Sequence, residues 1–194
     1  MFEHFESYIT ARGQFTADEL KLIRSLCTPK KVRRRQLLLH EGEICQYKIF
    51  LGKGLLKTYR LKDDGSEYIM RFSPENSWTT DPESFNQNVP SKYNIEALEN
   101  TEVVLWTRPN LGQLLLAVPA FKLFTDKLIS STLDDTRDRL LKTLSYTSEE
   151  KYNDFIASFP DVFSRVPLHM VASYLGVSRE TLSRIRHEQL KQPK

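Results

Sequence analysis

The sequence predicts an α+β protein: an N-terminal antiparallel β-roll, one long helix, and a C-terminal helix-turn-helix. Three observations carry this. Glycines punctuate a run of short apolar and aromatic segments at Gly42, Gly54 and Gly65, a spacing of 11–12 residues typical of sandwiches and barrels. No crossover helix interrupts those segments, which favours an antiparallel arrangement over a parallel sheet. From about Pro109 the apolar period becomes helical and stays so to the end.

Taken in order, the first 26 residues read as helical. Thr16 and Glu19 form a capping box ahead of Leu20, Ile23 and Leu26. The basic run Lys30–Arg35 reads as a charged strand edge that discourages aggregation. "QLLLHEGE", "YKIFLGKGLLKTYRL", "SEYIMRF", "YNIEALEN" and "EVVLWT" read as strands. Asp64-Gly65 between two of them predicts a hairpin with a tight type I′ turn. "SPENSWTTDPESFNQNVPSK", with three prolines, reads as a long irregular loop. "PNLGQLLLAVP" is a short helix.

"AFKLFTDKLISSTLDDTRDRLLKTL" follows as one long helix. Phe121, Phe124, Leu128, Leu133, Leu140 and Leu144 recur by threes, fours and sevens, a coiled-coil-like seam interrupted by "DDTRDR". This predicts a homodimer. Thr147 and Glu150 form a second capping box, and Pro160 ends that helix. Pro167 opens another helix and Gly176 closes it. Ser178 caps a last helix whose Leu182 and Ile185 can pack against the one before. Two short helices joined by a Gly-containing turn make a helix-turn-helix, whose second helix enters the DNA major groove. The organisation expected is a β-roll over 1–115, a dimerisation helix over 116–145, and a DNA-binding helix-turn-helix domain over 146–194.

Composition sets outer bounds. The chain has 194 residues, 40% hydrophobic and 27% charged, as in an ordinary globular protein. A net charge of +3 does not by itself identify a nucleic-acid binder, but Ser178–Lys194 carries five bases against two acids. No secretory signal opens the sequence, and Cys27 and Cys45 have no metal spacing, so free thiols in the cytoplasm are expected. No membrane association is expected.

On the last helix, Arg179, Glu180, Ser183 and Arg184 lie on or near one face. Arginine can pair bidentately with guanine, and glutamate can accept from cytosine. Ser178, Thr181 and Arg186 have the chemistry of phosphate contacts. A solvated helix face is the competing reading.

"RVPLHMVASYLGVSRETLSRIR" resembles the helix-turn-helix of the Crp/Fnr transcription regulators, with "SRETLSR" matching their recognition-helix signature. "LLLHEGE", "FLGKGLLKTYRLKDDGSEYIMRF" and "PENSW" are similar to the strands of that family's cyclic-nucleotide-binding-like jelly roll. The resemblance spans about Thr16 to Leu190. It implies a homodimer on double-stranded DNA at a near-palindromic operator, with RNA polymerase as a candidate further partner. It implies base reading by Arg179, Glu180 and Arg184, and phosphate contacts by Ser178, Thr181 and His169.

The chain departs from that family's nucleotide pocket. The ribose-binding Gly-Glu pair aligns near Thr80 and Asp81, and the phosphate-binding Arg-Ser/Thr pair near Ser91 and Lys92. The arginine is missing, and Lys92 offers a point charge without the bidentate fork. Independence of cyclic AMP is expected, and the small-molecule effector is unknown. No cofactor is expected. Two cysteines cannot ligate an iron–sulfur centre, and neither His4 nor His40 stands out as a haem ligand. A β-wing after the recognition helix is expected to be short or absent. Of four histidines only His40 lies among the strands, and no P-loop, dinucleotide or nucleophile-elbow motif is present, so no enzyme is expected. The alternative function is a ligand-sensing or partner-binding roll with weak or no DNA binding.

Overall fold

A computed structural model describes residues 1–191, with the side chains of Leu190 and Lys191 left aside. Lys194, one of the five C-terminal bases, lies outside the described residues.

Two helices open the chain, α1 (Phe2–Thr10) and α2 (Ala17–Ser25). The capping box on α2 is present in both directions: the Glu19 N–H donates to Thr16 Oγ1 and the Thr16 N–H to Glu19 Oε2. Eight strands follow: β1 (Thr28–Val32), β2 (Leu37–Leu39), β3 (Tyr47–Lys53), β4 (Leu56–Leu61), β5 (Glu67–Ser73), β6 (Ser77–Thr79), β7 (Asn94–Ala97) and β8 (Thr101–Thr107). They form two four-stranded antiparallel sheets, ordered β1-β8-β3-β6 and β2-β7-β4-β5. The chain passes from one sheet to the other at Gly54. Its φ is +100°, and an added Cβ would lie 2.6 Å from Thr101 Oγ1, so only glycine fits.

Two local expectations need correction. The β4–β5 hairpin is real, but its turn is not type I′, because Asp64 does not adopt a positive φ. Lys62 accepts from the Gly65 N–H and donates to the Ser66 carbonyl, closing a three-residue loop with Gly65 alone at φ +78°. Asp64 instead accepts from the Ser66 N–H and hydroxyl. The three-proline loop also holds regular structure. Trp78 and Thr79 are buried in β6, and Asp81 caps α3 (Pro82–Gln87), with Pro82 at the start of the helix, where it needs no N–H partner.

The roll's core is aromatic. Phe5, Phe50 and Trp106 are fully buried, with Phe5 centred 5.0 Å from Phe50, 5.7 Å from Trp78 and 4.8 Å from Trp106. Helix α4 (Arg108–Ala117) and the start of α5 (Pro119–Ser145) extend this core through Leu111, Leu114, Phe121 and Phe124. The seam read from the sequence therefore divides. Its first third packs on the roll, whereas Leu133, Leu140 and Leu144 are 50–78% exposed.

Four helices complete the chain: α6 (Ser148–Ser158), α7 (Pro160–Arg165), α8 (Leu168–Leu175) and α9 (Arg179–Lys191). Pro160 ends α6 and begins α7, a helix absent from the sequence reading. A second apolar core joins these helices to the roll: Leu55, Tyr59, Ile69 and Phe72 pack with Phe155, Val171, Leu182 and Ile185. Among the described residues no strand follows α9, and no helix is long and apolar enough to cross a membrane.

Candidate functional site

Gly176 stops α8 in the left-handed conformation at φ +68°, and the Val177 N–H returns to the Ala172 carbonyl. Gly176, Val177 and Ser178 together span the gap between α8 and α9. Ser178 Oγ accepts the Thr181 N–H at 3.0 Å and lies 3.0 Å from Thr181 Oγ1. The two hydroxyls thus hold the start of α9 before any partner is present. Leu182 and Ile185 are buried beneath, which fixes the helix's rotation. The opposite face carries Arg179, Glu180, Ser183, Arg184 and His187, all exposed around one shallow concavity.

Four sequence-predicted residues are thus together. His187 joins them although sequence reading passed it over; it lies four residues after Ser183 and eight after Arg179, a spacing that would have found it. Arg186 is exposed beyond this face, on the side of Tyr152 in α6, and His169 is exposed near the start of α8. Among the described residues Arg179, Arg184 and Arg186 enter no ion pair. Exposed, unpaired arginines on a rigid helix can engage phosphates or base edges at little desolvation cost.

The roll's candidate pocket is differently arranged. Asp81 is buried, accepts the Glu83 and Ser84 N–H groups at the start of α3, and accepts the Ser91 hydroxyl at 2.7 Å. Thr80 donates to the Tyr47 carbonyl. Lys92 is exposed and paired with Glu83 at 2.9 Å. Thr80, Asp81 and Ser91 are therefore brought together, while Lys92 is engaged at the surface. No group of three or more His, Cys, Asp or Glu side chains among the described residues could hold a metal.

The helix-turn-helix sits directly on the roll. Ser173 of α8 completes the open edge of β5: its hydroxyl donates to the Glu67 carbonyl at 2.5 Å and accepts the Ile69 N–H at 3.0 Å. Arg139 of α5 donates to the Met70 and Tyr174 carbonyls and stacks 4.1 Å over the Tyr174 ring. Arg165 of α7 forks between Glu75 and Glu99 with four contacts of 2.7–2.9 Å.

That fork links docking to acidity. Burial alone would raise the Glu75 carboxyl, but Arg165 and backbone donors more than offset it and hold it below the ordinary 4.5. Hydrogen bonding from Arg165 likewise lowers Glu99. Both carboxylates therefore contribute stability that is present above pH 4.5 and lost as pH falls below it through their native values. The gap in melting temperature between wild type and Arg165→Met should be widest at neutral pH and close on acidification through that range. A gap independent of pH would contradict the linkage.

The chain thus joins an antiparallel roll, a long helix and a helix-turn-helix. Residues 29–117 match the cyclic nucleotide-binding domain family. Solved structures share the whole arrangement. FixK2 from Bradyrhizobium japonicum aligns with a TM-score of 0.74 at 19% identity, over 86% of this chain and 85% of its own. The c-di-GMP responsive global regulator CLP of Xanthomonas campestris gives 0.72 at 13%, over 90% and 92%. The catabolite activator protein of Thermus thermophilus gives 0.56 at 20%, over 91% and 84%. No curated protein matches by sequence. Residues 29–117 are thus similar to a cyclic nucleotide-binding domain, and the chain shares the fold of these solved structures.

Proposed function

We propose that the chain is a sequence-specific DNA-binding transcription regulator that acts in the cytoplasm as a homodimer on a near-palindromic operator. The observation that carries this is the unpaired face of Arg179, Glu180, Ser183, Arg184 and His187 on a helix already capped and packed for presentation. Arg179, Glu180 and Arg184 read base edges; Ser178, Thr181, Arg186 and His169 serve the phosphates. The exposed Leu133, Leu140 and Leu144 stripe supplies the dimer seam. The division into roll, seam and reader at about residues 115 and 145 follows. RNA polymerase is a candidate further partner, and no catalysis is assigned.

Independence of cyclic AMP is supported by Asp81. A buried carboxylate already takes the N–H groups at the start of α3 and the Ser91 hydroxyl, so these donors are not free for a cyclic phosphate. The chain's fold is shared with a c-di-GMP responsive regulator, which supports a sensor role for the roll without naming its ligand.

Genome-wide footprinting of the purified protein tests the proposal. Paired half-sites about one helical turn apart are expected. Arg184→Ala should then cost about 1–3 kcal/mol of operator affinity and relax preference at one base position. Equal weakening on every DNA sequence would remove the base-reading role, and single half-sites would remove the dimer.

A further inference from the structure

The chain has four histidines, and the structure divides them into two pairs. The two in the N-terminal part are engaged. His4 Nε2 lies 2.8 Å from Asn76 Oδ1, and His40 Nδ1 lies 2.8 Å from the Glu41 carbonyl oxygen. The other two, His169 on α8 and His187 on α9, are exposed, and neither ring has a hydrogen-bond or ion-pair partner among the described residues.

Its surroundings set His187 apart. It stands one turn after Ser183 and Arg184 and two turns after Arg179 and Glu180, and it completes the same shallow concavity. All five residues around that concavity belong to α9. The charges His187 meets there are Arg179, Glu180 and Arg184; Glu188, the next residue, is exposed but does not line it. Helices α6 and α8 pack against the side of α9 that carries Leu182 and Ile185, and among the described residues no titratable group of either lines the concavity.

An imidazole in this place differs in kind from its neighbours. Arginine and glutamate keep their charge throughout the physiological range, whereas a histidine changes its charge near neutral pH. Neutral, the ring offers a phosphate one N–H; protonated, it offers two and a full positive charge. A phosphate within reach favours the protonated form.

We infer that His187 is a DNA contact whose strength is set by protonation, its partner a backbone phosphate at the rim of the groove. This rests on reading α9 as the DNA-contacting helix. In such a helix the N-terminal residues lead into the groove, so a side chain two turns further on meets the phosphates that border it. The sign follows from linkage. The complex holds the proton more tightly than the free chain, so the gain in affinity is complete below the free imidazole's range and is lost as pH rises through that of the complex. Acidification alone then tightens the hold on DNA, without a small molecule.

The test uses the full chain and a rhodamine-labelled duplex of mixed sequence, titrated by fluorescence anisotropy at constant low salt. Wild type should bind at least about fivefold more tightly at pH 6 than at pH 8. His187→Gln should bind at both values about as weakly as wild type does at pH 8. His187→Lys, charged throughout, should bind tightly at both. The side chain is exposed, so both variants should keep the wild-type melting temperature. His169→Gln, run alongside, should retain most of the dependence. Equal wild-type affinity at the two pH values, or a dependence that survives in His187→Gln, overturns the inference and leaves DNA binding standing. No binding of the duplex even at pH 6 overturns the DNA reading itself, and this inference with it.

Discussion

Phe5→Ala should lower the unfolding free energy by about 3–5 kcal/mol, measured by urea titration. Phe5 is fully buried and touches the rings of Phe50, Trp78 and Trp106. It is the residue through which α1 enters the sandwich, so truncation leaves a cavity bounded by three large, rigid neighbours that cannot collapse into it. Leu116→Ala is the control, since that side chain is 88% exposed; its effect on the monomer should stay within about 0.5 kcal/mol. A Phe5→Ala loss no larger than the control would show that α1 is an appendage, not part of the core.

Lys57→Ala should cost a similar amount, about 3–5 kcal/mol, for an electrostatic reason. Lys57 is buried in β4, with its ammonium 2.6 Å from Glu67, 3.3 Å from Glu96 and 4.1 Å from the Tyr59 ring centre. Removing the cation strands two carboxylates, one largely and one mostly withdrawn from water. The triple variant Lys57→Met, Glu67→Gln, Glu96→Gln removes both signs and should recover most of the loss. If it does not, the damage in Lys57→Ala is lost packing. The site matters beyond stability, because the Glu67 carbonyl is the acceptor on which Ser173 docks the helix-turn-helix.

Local signals were legible wherever one residue decides one conformation. Thr16 and Thr147 cap their helices as their Glu partners at the third position require. Gly176 and Ser178 place the turn ahead of α9, and the shared exposed face of Arg179, Glu180, Ser183 and Arg184 follows from helical spacing. Signals failed where tertiary packing outvotes composition. Trp78 and Thr79 form a strand inside a stretch rich in proline and asparagine because β3 offers them a paired edge. Phe121 and Phe124 fit a seam by spacing, but nothing in spacing distinguishes a partner helix from the roll beneath.

The shared second core has an engineering meaning. Reading heads of this kind invite grafting, as if any roll could carry any operator specificity. Here the hydrophobic floor of the head is made from Leu55, Tyr59, Ile69 and Phe72 of the roll. A chimera cut within α5 would carry a new head onto a mismatched floor, and would fit only if those four positions travelled with it. On the proposed reading of α9 as the DNA-contacting helix, specificity would be changed by rewriting its outward residues while leaving Leu182 and Ile185 where they are.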